Sequence, residues 1–415
     1  EMCIRDRMWL VFQATFTLGA PLMDLIDAGV SWLADASLAA LAGVPLLASL
    51  VGEGIIPGVG MVLIFLPNIF ILFLALSLLE DSGYLARGSL LTDGVLRRCG
   101  VSGRSFIPMI ISFGCNVPAI LATRTMPSFK DRLITIAILP LMSCSARMPV
   151  YVLLVGAFFA RAWAGAIITL LYFLGIVMAV LLALALRRTV ATGEPGALII
   201  ELPDYKTPRI LAATKSTWMM GKHYLQKAGT IIFAASIVIW FLFSFPQAPA
   251  VTAENSPLGG AALAAEEVPT KSAFATTSPA SDIGGTYAGR LGKAIAPFFA
   301  PLGFDWRVTV GLIGSTLAKE IMVSTMGVVY GVGEEAEAED ETLIETVRTR
   351  SGLTPLTALA LMIFALLYLP CLATIAVMYR ELGSARWTLA IMGLHFGAAY
   401  LLAFLAIQVG RAMGY

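Results

Sequence analysis

The chain has 415 residues, of which 58% are hydrophobic and 13% are charged, and its mean hydropathy is +0.84. Soluble domains carry about a quarter of charged residues, so this composition excludes an ordinary soluble protein and indicates a membrane protein with several spans. The net charge of +1 provides no basic surface for nucleic acid. The five cysteines are far apart and form no CxxC pair, which argues against a disulfide framework or a structural zinc site.

The sequence begins with EMCIRDR, a charged stretch that leads directly into apolar residues. Its acidic start and the lack of a small-residue cleavage site argue against a signal peptide. We therefore interpret residues 1–7 as a non-native-looking N-terminal extension, and we expect the first helix to be truncated.

Apolar stretches of suitable length recur along the whole chain. A bilayer requires about 20 apolar residues per helix, so the sequence predicts an all-α polytopic membrane protein with about eight transmembrane helices. These spans lie near residues 8–25, 57–79, 133–159, 164–187, 227–245, 306–331, 354–378 and 387–411. Residues 29–50 are mixed in character and are predicted to form an interfacial helix.

The positions of lysine and arginine predict the orientation. No Lys or Arg occurs between Met8 and Ala86, whereas residues 87–132 and 187–227 carry seven each. Because cytoplasmic loops are rich in these residues, both basic segments are predicted to be cytoplasmic. With eight spans, both termini and the acidic run 334–341 are then cytoplasmic as well.

This topology divides the chain into two halves. The N-terminal half spans 8–245 and contains a first gate segment at 106–125, whereas the C-terminal half spans 306–415 and contains a second gate segment at 366–381. Residues 246–305, rich in Ala, Ser, Thr, Pro and Gly, are predicted to form a flexible extracytoplasmic loop between them.

Several polar residues interrupt the apolar pattern at membrane depth. A charged side chain at the bilayer centre costs about 2.5–3.5 kcal/mol, so such residues persist where they pair with another group or face a cavity. Glu80, Lys319 and Glu320 are of this kind, and an internal pair between Lys319 and a neighbouring acid is one explanation. Arg124 and Arg147 are expected to brace the cytoplasmic ends of their helices.

The two halves share a short pattern. Cys115 and Cys371 each lie beside a proline, Pro118 or Pro370, and each is followed nine residues later by an arginine. Gly114, Asn116 and these prolines are expected to open the backbone at each break. Broken helices of this kind form ion and substrate sites in transporters, and the pattern predicts an inverted repeat in which Arg124 lies on the cytoplasmic side and Arg380 on the outer side.

The candidate ligands are a mixture of soft and hard groups. They are the thiols of Cys115, Cys144 and Cys371 and the carboxylates of Glu80 and Glu320. Thiolates suit iron, copper and zinc, and carboxylates suit magnesium, manganese and ferrous iron, so a borderline ion such as Fe²⁺ is compatible with the set. A conduction site must also release its ion, which sparse cysteines on separate helices allow.

Five longer segments resemble the membrane domain of the ferrous iron transport protein B family and occur in the order that the family shows. They are LSLLEDSGYLAR, FIPMIISFGCNVPAILATRTM, RLITIAILPLMSCSARMPVYVLL, TVGLIGSTLAKEIMVSTMGVVY and LLYLPCLATIAVMYRELGSARW. The resemblance implies uptake of Fe²⁺ across the bacterial inner membrane along a path lined by Cys115, Cys144 and Cys371.

The resemblance also implies a cytoplasmic GTP-binding domain before the first span. Such a domain needs a GxxxxGK[ST] loop, which these residues do not contain, so GTP is expected only through a domain outside them and the chain itself is not expected to be an enzyme. The resemblance is also compatible with two further kinds of partner: other copies of the chain in a homo-oligomer, and a small cytoplasmic accessory protein of the same transport system.

Two other functions compete with iron transport. A carrier for an organic solute such as a nucleoside, or for another divalent metal, would use the same broken helices, and Asn68, Asn116, Gln226 and Tyr84 are the candidate solute ligands. An intramembrane enzyme is disfavoured because His223 and His395 show no HExxH pattern and no GxSxG accompanies them.

Overall fold

The computed structural model describes residues 2–41, 43–64, 66–190, 209–245, 283–332, 338 and 340–414, and all regular structure within them is helical. The greater part of the predicted loop 246–305 and most of the acidic run 334–341 lie outside the described residues. The helices of the first half are α1 (Met2–Ala40), α2 (Pro45–Ser49), α3 (Ile56–Ile64), α4 (Leu66–Asp81), α5 (Tyr84–Arg98), α6 (Phe106–Gly114), α7 (Asn116–Ala122), α8 (Phe129–Ile138), α9 (Met148–Phe158), α10 (Arg161–Thr189) and α11 (Ile210–Ser244). Those of the second half are α12 (Tyr287–Phe299), α13 (Trp306–Gly314), α14 (Ile321–Tyr330), α15 (Glu341–Arg350), α16 (Pro355–Leu367), α17 (Leu372–Leu382) and α18 (Ala385–Ala412).

Five helical stretches in the described part of the chain are long and apolar enough to cross a membrane. They are Leu47–Asp81, Phe129–Phe158, Arg161–Thr189, Pro355–Leu382 and Ala385–Ala412. They correspond to five of the predicted spans, and the predicted span 227–245 forms the C-terminal part of α11, whose apolar segment is Phe233–Ser244.

Helix α1 corrects the prediction for the start of the chain. It is one helix of 39 residues that includes both the predicted truncated span and most of the predicted interfacial helix. No proline follows Pro21 inside it, and the alanines and leucines of its second half favour a helix. It runs antiparallel to α3 and α4, because Gly52 lies beside Leu38 and Gly60 lies beside Val30.

Ion pairs define one end of the helix bundle, which we call the basic end. Arg124, just after α7, pairs with Glu381 at the end of α17, and Arg132 at the start of α8 donates to the Glu381 carbonyl at 2.5 Å. Arg187, near the end of α10, pairs with Asp131 at the start of α8 at 2.5 Å. The opposite end of the bundle is called the far end below.

Helices α6 and α7 form a hairpin whose two ends lie at the basic end. The hydroxyl groups of Ser105, just before α6, and Thr135 of α8 are 2.7 Å apart, and the segment after α7 returns to the basic end at Arg124. The chain reverses at Cys115, the single residue between the two helices, whose backbone is extended (φ −151°, ψ 132°). The residues predicted as the first gate segment therefore have their tip inside the bundle.

Helices α13 and α14 form a second hairpin, which corrects the predicted continuous span 306–331. Arg307 at the start of α13 lies 5.6 Å from the ring centre of Tyr330 at the end of α14, so the two helices are antiparallel. The two helices pack closely because Gly314 has no Cβ, whereas a Cβ at this position would lie only 2.8 Å from the hydroxyl oxygen of Thr325. The hairpin opens at the far end, because Gly303, just before α13, lies beside Thr357 at the start of α16. Its tip is the turn at residues 315–320.

Each hairpin is followed by a broken helix and then a straight one. The α8–α9 segment is interrupted at residues 142–147 and continues into α10, whereas α16–α17 is interrupted at residues 368–371 and continues into α18. The first series starts at the basic end and the second at the far end. In this order Cys144 corresponds to Cys371, whereas the sequence pattern had matched Cys115 with Cys371.

The positions of several charged residues and of the chain ends correct the predicted topology. Arg380 adjoins Glu381 at the basic end, on the same side as Arg124, and not on the opposite side. At the end of α18, Gly410 lies beside Leu356 of α16, so the end of α18 lies at the far end and not on the side of Arg124. Ile344, shortly after the acidic run, lies beside Gly156 of α9, again at the far end.

Candidate functional site

A cavity of about 120 Å³ lies where both hairpin tips and both helix interruptions meet. Seven of the nine residues predicted as ligands or as gate residues line it. They are Cys115, Cys144, Cys371, Glu320, Gly114, Asn116 and Pro370. Residues distant in sequence are therefore brought together in one place, because both hairpin tips and both helix interruptions contribute to the cavity wall.

Two predicted residues do not contribute to the cavity. Glu80 is exposed near the C-terminal end of α4, which runs to Asp81, so the structure does not bring its carboxylate to the thiols. Pro118 is buried within α7 but is absent from the cavity wall. The cavity includes other polar side chains that the ligand prediction did not contain, among them Thr374 and Lys319.

The cysteines differ in their surroundings. Cys144 is buried, with 8% exposure, whereas Cys115 and Cys371 are half-buried and Cys371 Sγ lies 3.1 Å from the hydroxyl of Thr374. All three cysteines line the same cavity as Glu320. The thiols and the carboxylate therefore form one group around the cavity.

The tip of the first hairpin is held to the first helix interruption. The hydroxyl of Ser145 donates to the carbonyl of Gly114 at 3.0 Å, and the hydroxyl of Ser112 lies within hydrogen-bonding distance of both the side-chain oxygen of Asn116 and the carbonyl of Leu139. These bonds fix the backbone on both sides of Cys115.

Arg147 has a different role from the one predicted. It does not brace a cytoplasmic end but lines the cavity, with 1% exposure, and its guanidinium donates to the carbonyls of Pro140 at 2.9 Å and Met142 at 3.1 Å. A helix interruption leaves carbonyl groups without their helical partners, and at this depth they need another donor. Arg147 provides that donor for the α8–α9 interruption.

Lys319 has an equivalent role at the other interruption. Its ammonium donates to the carbonyl of Leu369 at 2.6 Å and lies 3.4 Å from the ring centre of Tyr368. The residue is 4% exposed. The partner of this lysine is thus a backbone carbonyl and an aromatic ring, and not the carboxylate that the sequence suggested.

The cavity is an open site and not a closed metal cage. Within the described ranges, no three His, Cys, Asp or Glu side chains lie close enough to hold a metal ion together. The cavity has room for an ion with a few waters, so an ion here would have a mixed shell of protein groups and water. His395 is elsewhere, with its Nε2 at 2.8 Å from the carbonyl of Ala137.

Two family models match the chain. The Gate model, described as nucleoside recognition, matches residues 62–158 and 225–385 and so includes both hairpins, both interrupted helices and all four candidate ligands of the cavity. The model described as ferrous iron transport protein B C terminus matches residues 168–219, between the two Gate parts.

Curated relatives are similar to nearly the whole chain. A Porphyromonas gingivalis protein named Fe(2+) transport protein A/Fe(2+) transporter FeoB fusion protein is 41% identical over 97% of this chain and 49% of its own length. Proteins named Fe(2+) transporter FeoB from Campylobacter jejuni and Staphylococcus aureus are 37% and 40% identical, over 98% and 97% of this chain and 62% and 56% of their own lengths. The chain thus spans about half the length of the curated relatives it matches, and no solved structure matches it. The chain belongs to the Gate family and, by these relatives and the C-terminal model, to the ferrous iron transport protein B family.

Proposed function

We propose that this chain forms the membrane passage of a ferrous iron transporter, with the cavity as the site that Fe²⁺ occupies during transport. The observation that carries the proposal is the convergence of Cys115, Cys144, Cys371 and Glu320 on one cavity. Thiol and carboxylate groups together suit a borderline ion such as Fe²⁺ better than a hard or a soft one. The names of the relatives, which specify Fe(2+) transport, support the same ion.

The open geometry of the cavity is suited to transport. Release requires that the ion is bound neither too tightly nor at a single closed site. Backbone carbonyls at the interruptions and water would complete a shell in which few protein ligands act at once. Glu80 is left out of this site because it is exposed at the end of α4.

We place the protein in a bacterial plasma membrane with its basic end in the cytoplasm. That end carries Arg124, Arg132 and Arg187, in keeping with the cytoplasmic excess of Lys and Arg. The crossings in this arrangement are α1, α2–α4, α8–α9, α10, α11, α16–α17 and α18. The hairpins α6–α7 and α13–α14 enter from opposite sides as re-entrant segments, which makes the two halves an inverted repeat.

We propose that the complete transporter uses partners beyond these residues. One is a GTP-binding domain that acts on the basic end, which the resemblance to the ferrous iron transport protein B family implies, and the curated relatives are longer than this chain. The fusion named in Porphyromonas gingivalis supports a small accessory protein of the same transport system. Self-association into a homo-oligomer remains a prediction.

The test is Fe²⁺ binding and uptake by the reconstituted full-length protein under anaerobic conditions. The perturbed variants are Glu320→Gln and the triple variant Cys115→Ser, Cys144→Ser, Cys371→Ser, and Glu80→Gln is the matched carboxylate control. We expect at least a ~10-fold loss of Fe²⁺ affinity, equal to about 1.4 kcal/mol, in the perturbed variants and no change in the control. Wild-type affinity in both perturbed variants would refute the proposed site.

A second candidate, transport of an organic solute such as a nucleoside, is favoured by the description of the Gate model. The cavity contains amide side chains, Asn68 and Asn116, that could bind such a solute. Thermal unfolding of the protein with Fe²⁺ and with nucleosides separates the two functions. A rise in melting temperature with nucleosides alone would replace the iron proposal with this one.

A further inference from the structure

We infer that Lys319 is an internal cation that occupies part of the transport site and makes it select divalent over monovalent cations. This inference rests on the proposed function, because it assigns a specificity role within the same cavity. It concerns the ammonium group as a tethered positive charge that the transported ion must displace.

The surroundings of the ammonium are those of a bound cation. Its partners are a carbonyl at a helix interruption, Leu369 at 2.6 Å, and the face of an aromatic ring, Tyr368 at 3.4 Å. Unwound carbonyls coordinate cations in transporters, and aromatic faces attract them electrostatically. Leu369 is two residues from Cys371, and Lys319 is next to Glu320, so the ammonium lies among the candidate ligands.

The groups that receive the ammonium are held in place by contacts that do not involve Lys319. Tyr368 is held by a hydrogen bond between its hydroxyl and Ser315, and the amide of Leu372 donates to the carbonyl of Thr316 at 2.9 Å. These two neutral contacts join the tip of the α13–α14 hairpin to the α16–α17 interruption independently of Lys319. The ammonium is at the end of a flexible four-carbon stem and can leave while both backbone segments stay in place.

Such a tethered charge discriminates by valence. A lysine attached next to the site competes at a high effective concentration, and K⁺ or Na⁺ brings only the same single charge. A monovalent ion that displaces the ammonium therefore gains no charge interaction with Glu320. Fe²⁺ brings twice the charge and also accepts sulfur ligands, so it can compensate for the lost contacts.

The other positive group at the cavity does not have this freedom. Arg147 donates to two carbonyls of the preceding residues in its own segment, Pro140 and Met142. Its charge stays at a fixed position and repels every cation, a divalent one about twice as strongly as a monovalent one. Lys319 is thus the positive group whose displacement can depend on the incoming ion.

The experiment measures anaerobic Fe²⁺ affinity of the full-length protein in nanodiscs, with K⁺ or with bulky N-methylglucamine at equal ionic strength. The test variant is Lys319→Gln, whose amide can still donate to Leu369 but carries no charge. Lys293→Met is the matched control, because Lys293 donates to the carbonyl of Gly284 at 2.8 Å and lies 5.1 Å from the ring centre of Trp306, outside the cavity. Lys319→Arg tests whether the charge alone is sufficient.

In wild type, Lys293→Met and Lys319→Arg, we expect Fe²⁺ affinity to be equal in the two salts within about twofold. In Lys319→Gln we expect K⁺ to weaken Fe²⁺ binding by ~10-fold or more. Indifference of Lys319→Gln to K⁺ would overturn the inference while leaving Fe²⁺ transport intact. If Lys319→Gln does not fold, the wild-type titration decides, because competition by K⁺ in the wild type also overturns the inference. Failure of the wild type to bind Fe²⁺ in either salt refutes the proposed function itself.

Discussion

Replacing Arg147 with Met removes the donor that the α8–α9 interruption depends on. The guanidinium is 1% exposed and donates to the carbonyls of Pro140 at 2.9 Å and Met142 at 3.1 Å. Met fills a similar volume without a donor, so both carbonyls lose their partner in Arg147→Met. Arg147→Lys keeps the charge but can reach only one of them with comparable geometry.

The magnitude follows from these two bonds. Each buried carbonyl left without a donor costs ~1–3 kcal/mol, and cavity water reduces that cost, so we expect Arg147→Met to lower the free energy of unfolding by ~2–4 kcal/mol. Arg147→Lys should lose about half as much. Removing a buried charge also relieves its desolvation, which makes the upper part of the range a limit.

The assay is unfolding of the purified protein in mixed micelles by titration with denaturing detergent, followed by circular dichroism. Arg161→Met is the control, because Arg161 is exposed at the start of α10. A second measurement is the rate at which Cys144, which is buried in the wild type, reacts with a maleimide. If Arg147→Met were within ~0.5 kcal/mol of the wild type and Cys144 stayed protected, the assigned role of the arginine would be wrong.

Two further predictions concern contacts between helices of the bundle. Gly175→Ala places a Cβ 2.6 Å from the carbonyl oxygen of Leu141 and should destabilise the protein by ~1–3 kcal/mol in the same unfolding assay. The control, Gly165→Ala in the same helix, meets no atom within 4 Å and should be neutral or stabilising. Equal effects of the two substitutions would contradict the packing argument. Arg124→Glu and Glu381→Arg should each destabilise the protein. In a double-mutant cycle the double exchange should recover up to about 1 kcal/mol of that loss, because Arg124 is largely exposed. Absence of coupling would show that the pair does not hold α7 to α17.

The thiols and the acid that line the cavity were predictable to a large extent from the sequence, because such groups at membrane depth are costly unless a cavity receives them. Cys115, Cys144, Cys371 and Glu320 were found in this way, and all four line the cavity. Glu80 satisfied the same criterion but lies near the end of α4. Sequence hydropathy does not fix where along a long apolar helix the membrane boundary falls, so an acid near an end is ambiguous.

The second hairpin was not predictable from hydropathy. Residues 306–331 have the length and apolar character of one span, and a straight helix and two antiparallel short ones have the same hydropathy. The signals were Gly311 and Gly314, which permit close approach of α14, and Lys319 with Glu320 at the tip. Missing this reversal changed the number of crossings and thereby the predicted side of every later element.

The two interruptions differ in where their donors come from, and this difference has a consequence for gating. Arg147 follows the carbonyls that it binds by a few residues, so the α8–α9 interruption keeps its donor whatever its neighbours do. The carbonyl of Leu369 depends on Lys319, which belongs to the separate α13–α14 hairpin. Only the second interruption can exchange its donor for a transported ion without local unfolding. We therefore expect the ion-dependent change to be concentrated in the Lys319 side chain at the α16–α17 interruption, while the Ser315 and Thr316 contacts keep the two backbone segments together and the α8–α9 interruption stays unchanged.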